Sequence, residues 1–110
     1  MVTVGYLTRY EAKPGQEADV ERALKAALAT IQKEPATIAW FAIRLGPSTF
    51  GVSDAYSDEQ GRQTRLTVGG ALLAEKASEL FAQPPLIEQV DILAAKLPEE
   101  RSRAEDNTSS

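Results

Sequence analysis

Residues 37–56 read Thr37-Ile-Ala-Trp-Phe-Ala-Ile-Arg-Leu45, then Gly46-Pro47-Ser48, then Thr49-Phe-Gly-Val-Ser-Asp-Ala-Tyr56. β-Branched and aromatic runs on either side of a glycine–proline turn are typical of a β-hairpin. If Gly46 pairs with Thr49, the antiparallel register follows, and directly opposite residues share a face. This hairpin decides the fold, because both of its predicted faces are apolar and each must be covered by another part of the structure.

The predicted register divides the hairpin residues between two faces. The first face carries Phe41, Ile43, Leu45, Phe50, Val52, Asp54 and Tyr56. The second carries Trp40, Ala42 and Arg44 opposite Gly51, Ser53 and Ala55. Because bulky side chains then lie over small ones, a helix can pack closely on the second face. The first face needs a different cover in so short a chain, and we expect a second subunit there.

The composition sets limits on the class of protein. A chain of 110 residues is long enough for one domain with one core. Its net charge is −4 and its basic residues are scattered, so neither nucleic acid nor an anionic membrane is an expected partner. The first residues lack the pattern of a signal peptide, and no run of 18 apolar residues occurs. A cytoplasmic location is therefore expected.

The chain contains neither cysteine nor histidine. The absence of cysteine excludes disulfides, thiolate catalysis and thiolate metal sites. The absence of histidine removes the commonest general base near neutral pH and the usual proximal ligand of a haem. Acid–base chemistry would therefore have to use Asp, Glu, Tyr, Lys or Arg, and a bound metal would need carboxylates.

The first third of the chain predicts a strand followed by a helix. Residues 2–13 alternate with a period of two, and Tyr6, Thr8 and Tyr10 share one side. Pro14-Gly15 ends this strand. The apolar residues that follow have the spacing of one helical stripe, which is formed by Val20, Leu24, Ala27, Leu28 and Ile31. Pro35 ends the helix, because the residue before a proline is disfavoured in the α region.

A second helix and a last strand are predicted after the hairpin. Residues 57–60, Ser-Asp-Glu-Gln, match a capping box that begins a helix. Gly69-Gly70 either breaks this helix or forms a hinge, before a second helical piece over residues 71–82. Residues 86–97 alternate as a final strand. Residues 99–110 contain one apolar residue and are expected to form a flexible tail after a domain at 1–98.

The element order is therefore β-α-β-β-α-β, which predicts an α+β, ferredoxin-like fold with a four-stranded antiparallel sheet and helices on one face. The predicted uncovered face presents Tyr6, Tyr10, Phe41, Ile43, Val52 and Tyr56. A stable interface buries roughly 800 Å² per partner. Pairing of two such faces would meet this requirement, so we expect a homodimer whose two sheets form a barrel.

Three segments resemble the antibiotic biosynthesis monooxygenase domain of the dimeric α+β barrel superfamily. They are the opening strand with Lys13-Pro14-Gly15, the segment Trp40-Phe-Ala-Ile-Arg-Leu-Gly-Pro-Ser-Thr-Phe-Gly51, and the closing Ile87-Glu-Gln-Val-Asp-Ile-Leu-Ala-Ala-Lys-Leu-Pro98. The resemblance covers about residues 2–98. It is specific for the fold and weak for the substrate, because this superfamily includes enzymes of different chemistry and proteins of no known activity.

The resemblance implies an oxygenase that uses no cofactor and acts on a quinol-like or polyketide-type aromatic with O2. In such relatives the aromatic residue that closes the third strand lines the pocket, and that residue is Tyr56 here. Thr8 occupies the position that holds an Asn in haem-degrading members, and Arg65 replaces a His that relatives frequently have in the helix after the third strand, so haem degradation is not expected. The alternative is a non-catalytic dimeric barrel, with a stress-related or other role, that binds a small hydrophobic ligand.

Asp54 and Tyr56 are the predicted catalytic residues. The predicted pairing puts the Asp54 carboxyl among apolar side chains, where burial would raise its pKa towards that of a useful base. A bulge could instead turn Asp54 outward, or it could pair with Arg44 or Arg9. The predicted substrate-binding residues are Tyr6, Thr8, Tyr10, Phe41, Val52 and Arg65. Each has a purely structural alternative, since tyrosines often pack and helix arginines are often solvated.

Overall fold

The computed structural model describes residues 1–67 and 76–97, without the side chains of residues 65–67. The elements are β1 (Val4–Glu11), α1 (Glu17–Ile31), β2 (Thr37–Arg44), β3 (Thr49–Tyr56), α2 (Glu59–Thr67), α3 (Ala77–Leu80) and β4 (Leu86–Asp91). The four strands form one antiparallel sheet in the order β2-β3-β1-β4. The expected α+β, ferredoxin-like arrangement is confirmed. Gly69-Gly70, the predicted start of a second helical piece at residue 71, and the tail at 99–110 lie outside the described residues.

Helix α1 packs through the stripe that its sequence predicts. Val20, Leu24, Ala27 and Ile31 are buried against the sheet, whereas Leu28 at the side of the stripe is half exposed. Gly15 adopts a φ of +88° in the preceding turn, a conformation that glycine adopts without steric cost. Among residues 1–67 and 76–97, no helix has the length and apolar composition needed to cross a membrane.

Helix α2 begins at Glu59, one residue later than a cap at Ser57 predicts. The N–H of Gly61 donates to the Asp58 Oδ1 atom at 2.8 Å, so Asp58 is the capping residue. Ser57 contributes to a different contact, in which its backbone carbonyl oxygen accepts a hydrogen bond from the Thr3 hydroxyl at 2.6 Å. The prediction of Ser57 as the cap was therefore wrong, because an aspartate in the next position competes for the same orphan N–H groups.

The hairpin register differs from the predicted register by one residue. The N–H groups of Leu45 and Gly46 both donate to the Thr49 carbonyl oxygen, at 2.8 and 3.2 Å, so the turn contains residues 46–48. Trp40 consequently lies opposite Asp54, and the register shifts again near the start of β2. Since side chains alternate between faces, a one-residue slip reverses the face of one strand relative to the other.

In the observed register, the polar and aromatic side chains of β3 and β1 lie on the helix side of the sheet. Phe50, Val52, Asp54 and Tyr56 are buried on the helix-covered face, together with Tyr6 and Tyr10 of β1. The prediction that Val52, Tyr56, Tyr6 and Tyr10 lie on the uncovered face was therefore wrong. Trp40 does pack on the helix side, as predicted. Phe41, 61% exposed, and Ile43 are exposed on the opposite side, which we call the open face.

Strand β4 is shorter than predicted. The sequence pattern continues to Leu97, but pairing with β1 ends at the Val4–Asp91 pair. One further hydrogen bond joins the Ile92 N–H to the Thr3 carbonyl oxygen at 2.8 Å. Residues 92–97 then continue without secondary structure. An alternating sequence pattern is not sufficient for a β-strand, because the backbone N–H and C=O groups also need a neighbouring strand with which to form hydrogen bonds.

We predict that Gly5→Ala destabilises the protein by about 1–3 kcal/mol, the usual range for overpacking. A Cβ atom at Gly5 would lie 2.1 Å from the carbonyl oxygen of Asp54, so β1 and β3 would have to separate. Gly46→Ala is the matched control, because a Cβ atom there meets no atom within 4 Å. Urea unfolding of both variants measures the difference, and equal stability would show that the strands tolerate the methyl group.

A second prediction concerns acid stability at the hairpin turn. The hydroxyls of Ser48 and Thr49 donate to the Glu11 carboxylate and hold its pKa below the usual value of 4.5. A lowered pKa stabilises the folded state above pH 4.5, and this contribution disappears as the pH falls through the folded-state pKa. We expect Glu11→Gln to be less stable than the wild type at pH 7 and to approach it below pH 4.5. Urea unfolding between pH 3 and pH 7 measures this, and a pH-independent gap would contradict it.

Candidate ligand-binding site

A group of oxygen-bearing side chains lies between the sheet and the helices. It consists of Tyr6 and Thr8 from β1 and Asp54 and Tyr56 from β3, and we call it the polar cluster. Every member is at most 5% exposed. Burying polar groups costs free energy unless they are hydrogen-bonded, so ordinary cores use apolar residues in such places. A polar cluster in the centre of so small a domain is therefore a candidate for a binding site.

The two central strands bring the cluster together. Tyr6 lies directly opposite Asp54, and Val4 lies opposite Tyr56. Directly opposite residues have Cβ atoms about 4.5–5.5 Å apart, so Tyr6 and Asp54 are neighbours on the helix-covered face. The Asp54 Oδ1 atom also accepts a hydrogen bond from the Tyr6 backbone N–H at 2.9 Å. This bond holds the carboxyl against β1 and provides a fixed partner for one of its oxygens.

Two tyrosine rings form an aromatic wall within the cluster. The ring centroids of Tyr6 and Tyr56 are 6.4 Å apart, with their planes at 79°. This edge-to-face arrangement is the one that the ring quadrupoles favour. It fixes the orientation of both rings, and an aromatic ligand could pack against them in the same way.

Arg62 is a functional candidate that the sequence interpretation missed. Its side chain projects from α2 and is 7% exposed, and its guanidinium carbon lies 5.5 Å from the centroid of the Tyr6 ring. The Nη1 atom donates to the carbonyl oxygens of Gly5 and Val90 at 3.2 and 3.3 Å. The Nη2 atom pairs with the Glu59 carboxylate. In the part of the chain that the structure describes, the buried Nε atom has no hydrogen-bond partner.

The sequence contained one signal for Arg62. Glu59 and Arg62 are three residues apart, a spacing that brings two side chains together on one face of a helix. The prediction favoured Arg65 instead, whose side chain lies outside the described residues. Because α2 is strongly polar, it offered no apolar stripe to show which of its sides faces the sheet.

The remaining predicted residues lie in different surroundings. Val52 is buried in the apolar core beside the cluster, with Val20, Leu24 and Phe50 among its members. Phe41 lies on the open face, on the other side of the sheet from the cluster. Tyr10 belongs to the same apolar core, where its ring stacks on that of Phe81 with centroids 5.0 Å apart. The structure thus brings four of the eight predicted residues together, and their part in binding or catalysis stays a prediction. In residues 1–67 and 76–97, no three His, Cys, Asp or Glu side chains are grouped as metal ligands would be.

Comparison with solved structures identifies close and distant relatives. The protein of unknown function NE2512 from Nitrosomonas europaea is 49% identical, with a TM-score of 0.87 over 89% of this chain and 96% of that chain. A Caulobacter crescentus protein, with a proposed role as an antibiotic biosynthesis monooxygenase, is 17% identical, with a TM-score of 0.71 over 84% of this chain and 92% of that one. A second Nitrosomonas europaea protein of the same proposed role is 12% identical, with a TM-score of 0.75 over 86% of this chain and 94% of that one.

The similarities with the two proposed monooxygenases establish a shared fold and confirm the resemblance expected from the sequence. No protein-family model and no curated protein sequence matches the chain.

We predict that Arg62→Lys destabilises the protein by about 1–3 kcal/mol, the cost of leaving buried acceptors without their donor. Lysine keeps the charge, but its single nitrogen cannot reach the two carbonyl oxygens and the Glu59 carboxylate at once, as Nη1 and Nη2 of Arg62 do. Arg22→Lys is the matched control, because Arg22 forms the same i,i+3 ion pair with Asp19 on the solvated side of α1. That variant should lose less than about 0.5 kcal/mol. Urea unfolding measures the free energy of unfolding of both variants. An equal decrease in the two would show that Arg62 contributes no more to stability than a surface ion pair.

Proposed function

Because the chain belongs to one family with the NE2512 protein and has the fold of the antibiotic biosynthesis monooxygenase domain, we propose that it is a cofactor-free monooxygenase of hydroxylated aromatic compounds. The buried polar cluster is the observation that carries this proposal. A carboxyl, a threonine hydroxyl and two phenols lie buried on the helix-covered face of the two central strands. Carboxyl and phenol groups are also the acid–base groups that remain to a chain without histidine and cysteine.

The chemistry starts with removal of a proton from a ring hydroxyl of the substrate. Asp54 accepts this proton, and the resulting anion is rich enough in electrons to react with O2 directly. A carbon–oxygen bond forms, the oxygen–oxygen bond breaks, and the second oxygen atom leaves as water. The substrate supplies all four electrons: two when a C–H bond of the ring is replaced by a C–O bond, and two more when the quinol ring is oxidised to a quinone, so that quinol and O2 give a hydroxyquinone and water. No outside reductant is required.

The other residues of the cluster hold the ring and stabilise its charge. Tyr6 and Tyr56 provide the aromatic wall, and their hydroxyls with that of Thr8 orient the substrate oxygens. The buried guanidinium of Arg62 lies over the Tyr6 ring and adds a positive charge beside the anion. Positive charge in a poorly solvated place stabilises a developing anion more than it would in water.

A second copy of the chain is proposed to cover the open face. Phe41, Ile43 and Leu86 are exposed large apolar residues, and the strand pairing puts all three on this face. Contiguous exposed apolar surface of this kind marks interaction sites. A dimer through this face would bury it without obstructing the polar cluster, which lies on the other side of the sheet.

A second candidate function is non-catalytic binding of a small aromatic or apolar ligand. The observation in its favour is the bond from the Tyr6 N–H to Asp54, because this bond gives the carboxyl a structural role in joining β1 to β3. A binding protein needs a place for its ligand but not the proton transfer. The two functions therefore differ in whether Asp54 is needed for turnover.

We predict that the purified protein accelerates O2 consumption by a menadiol-type substrate without added flavin or metal, above an enzyme-free blank. Asp54→Asn should lower kcat by about 10²–10⁴-fold, the usual contribution of a positioned base. Ser53→Ala is the matched control on the neighbouring position of β3, and it should keep full activity because its side chain lies on the other face. An oxygen electrode measures the rates, and thermal unfolding checks that both variants are folded.

Two results would contradict the enzymatic proposal. Asp54→Asn with unchanged turnover would remove Asp54 from the mechanism. A wild type that never accelerates O2 consumption, but whose unfolding temperature rises with the same aromatic compounds, would identify a binding protein, because a ligand that binds only the folded state stabilises it.

A further inference from the structure

The polar cluster is covered on its helix side. Tyr6 and Asp54 are 2% exposed, and Thr8 and Tyr56 are fully buried. Such low exposure leaves no surface of these four residues for an aromatic ring to contact. A ligand therefore reaches their side chains only after an element that covers them has moved away.

Helix α2 lies over the cluster and has little apolar surface to hold it there. Its Arg62 side chain lies over the Tyr6 ring. Helix α1 buries four apolar side chains against the sheet, whereas the sequence of α2, residues 59–67, contains one apolar residue, Leu66. Elements with few buried apolar contacts open at a lower free energy than the rest of a domain. We therefore expect α2 to leave the sheet more easily than α1 does.

The Arg62 side chain attaches α2 to two strands at once. Its Nη1 atom donates to the carbonyl oxygens of Gly5 in β1 and Val90 in β4, at 3.2 and 3.3 Å. These hydrogen bonds hold a polar helix in place without apolar packing. Water replaces them when the contact opens, so their net contribution to closure is smaller than their strength in isolation.

The closed position leaves one donor of Arg62 unsatisfied. Within residues 1–67 and 76–97, the buried Nε–H has no hydrogen-bond partner. A buried donor without an acceptor destabilises the state that contains it. Water supplies the acceptor when α2 opens, and an oxygen atom of a ligand beside Arg62 would supply it when α2 closes again. The closed state is therefore held by some bonds of Arg62 and weakened by the lack of another.

We propose that α2 is a lid over the polar cluster and that Arg62 is the latch that holds it closed. The lid opens while the rest of the domain stays folded, and a hydroxylated aromatic compound enters beneath it. The use of the lid rests on the proposed function. Its motion is tested without substrate, so the lid and the proposed chemistry can each fail alone.

Thiol labelling of a buried cysteine measures the opening, because the chain has no cysteine of its own. Full-length Asp54→Cys is labelled with the neutral reagent dithiodipyridine at urea concentrations below the unfolding transition. Val20→Cys, fully buried on α1, is the matched control. Asp54→Cys should react at least about tenfold faster than Val20→Cys, because a lid opens more readily than the core. Its rate should also depend less on urea, because urea dependence scales with the surface exposed.

Thr8→Cys repeats the measurement with a smaller change of side chain. Thiols at both cluster positions should react by the same opening. The lid is overturned if both react as slowly as Val20→Cys, with the urea dependence of global unfolding.

A disulfide staple tests whether α2 is the element that moves. A Cβ atom at Gly61 in α2 would lie 3.5 Å from the Cβ atom of Ala36, within the range of about 3.5–4.5 Å found in disulfides. Gly61→Cys and Ala36→Cys are added to Asp54→Cys and oxidised before labelling. The remaining thiol should then react with the urea dependence of Val20→Cys. Labelling that keeps its former rate and weak urea dependence would show that another element opens.

The latch is tested by Arg62→Lys in the Asp54→Cys variant. Loss of the forked contact should speed labelling at least about fivefold in the absence of urea. Arg22→Lys is the matched control, because Arg22 forms its ion pair on the solvated side of α1, and it should leave the rate unchanged. An equal labelling rate with and without Arg62→Lys would overturn the role of Arg62 as the latch.

Discussion

The Thr49 carbonyl oxygen accepts hydrogen bonds from the N–H groups of Leu45 and Gly46. The turn that these bonds close sets the register of the hairpin, and the arrangement of the sheet depends on that register. With three residues in the turn, β2 meets β3 with Trp40 opposite Asp54. Strand β1 then follows β3, because Tyr6 pairs with Asp54. One turn geometry therefore sets which residues of β3 and β1 share a face with Trp40 of β2. With a hairpin turn one residue shorter, the side chains of the polar cluster would lie on the opposite face of the sheet from Trp40.

The consequence is a domain with two kinds of core on one side of its sheet. Near the hairpin turn, Phe50 and Val52 pack with Leu24 and Phe81 in an ordinary apolar cluster. Towards the other end, the same strands contribute phenols and a carboxyl. This arrangement lowers the stability of the domain, because burying a polar group costs free energy unless the group is hydrogen-bonded. It is the division expected of a small domain that places a ligand beside its core.

Helix α2 shows a related compromise. It has no apolar stripe, and its attachment to the sheet depends on the Arg62 guanidinium, which reaches the carbonyl oxygens of β1 and β4. Directional hydrogen bonds of a planar, charged group can hold a polar helix where hydrophobic burial cannot. The same guanidinium lies over the Tyr6 ring. The element that closes one side of the polar cluster is therefore held by a charge that the proposed chemistry can use.

The sequence by itself determined the order and type of the elements, because the period of the apolar residues and the proline and glycine positions are local properties. It also placed Tyr6, Thr8 and Tyr10 together on one side of β1, since alternation requires no knowledge of the partner strand. Which side chains of β3 share a face with those of β2 depended on the turn hydrogen bonds, and the end of β4 depended on its partner strand. The alternating pattern is the same for either outcome. The inward position of Arg62 was decided only by tertiary packing, because a polar helix carries no local signal of the surface it will meet.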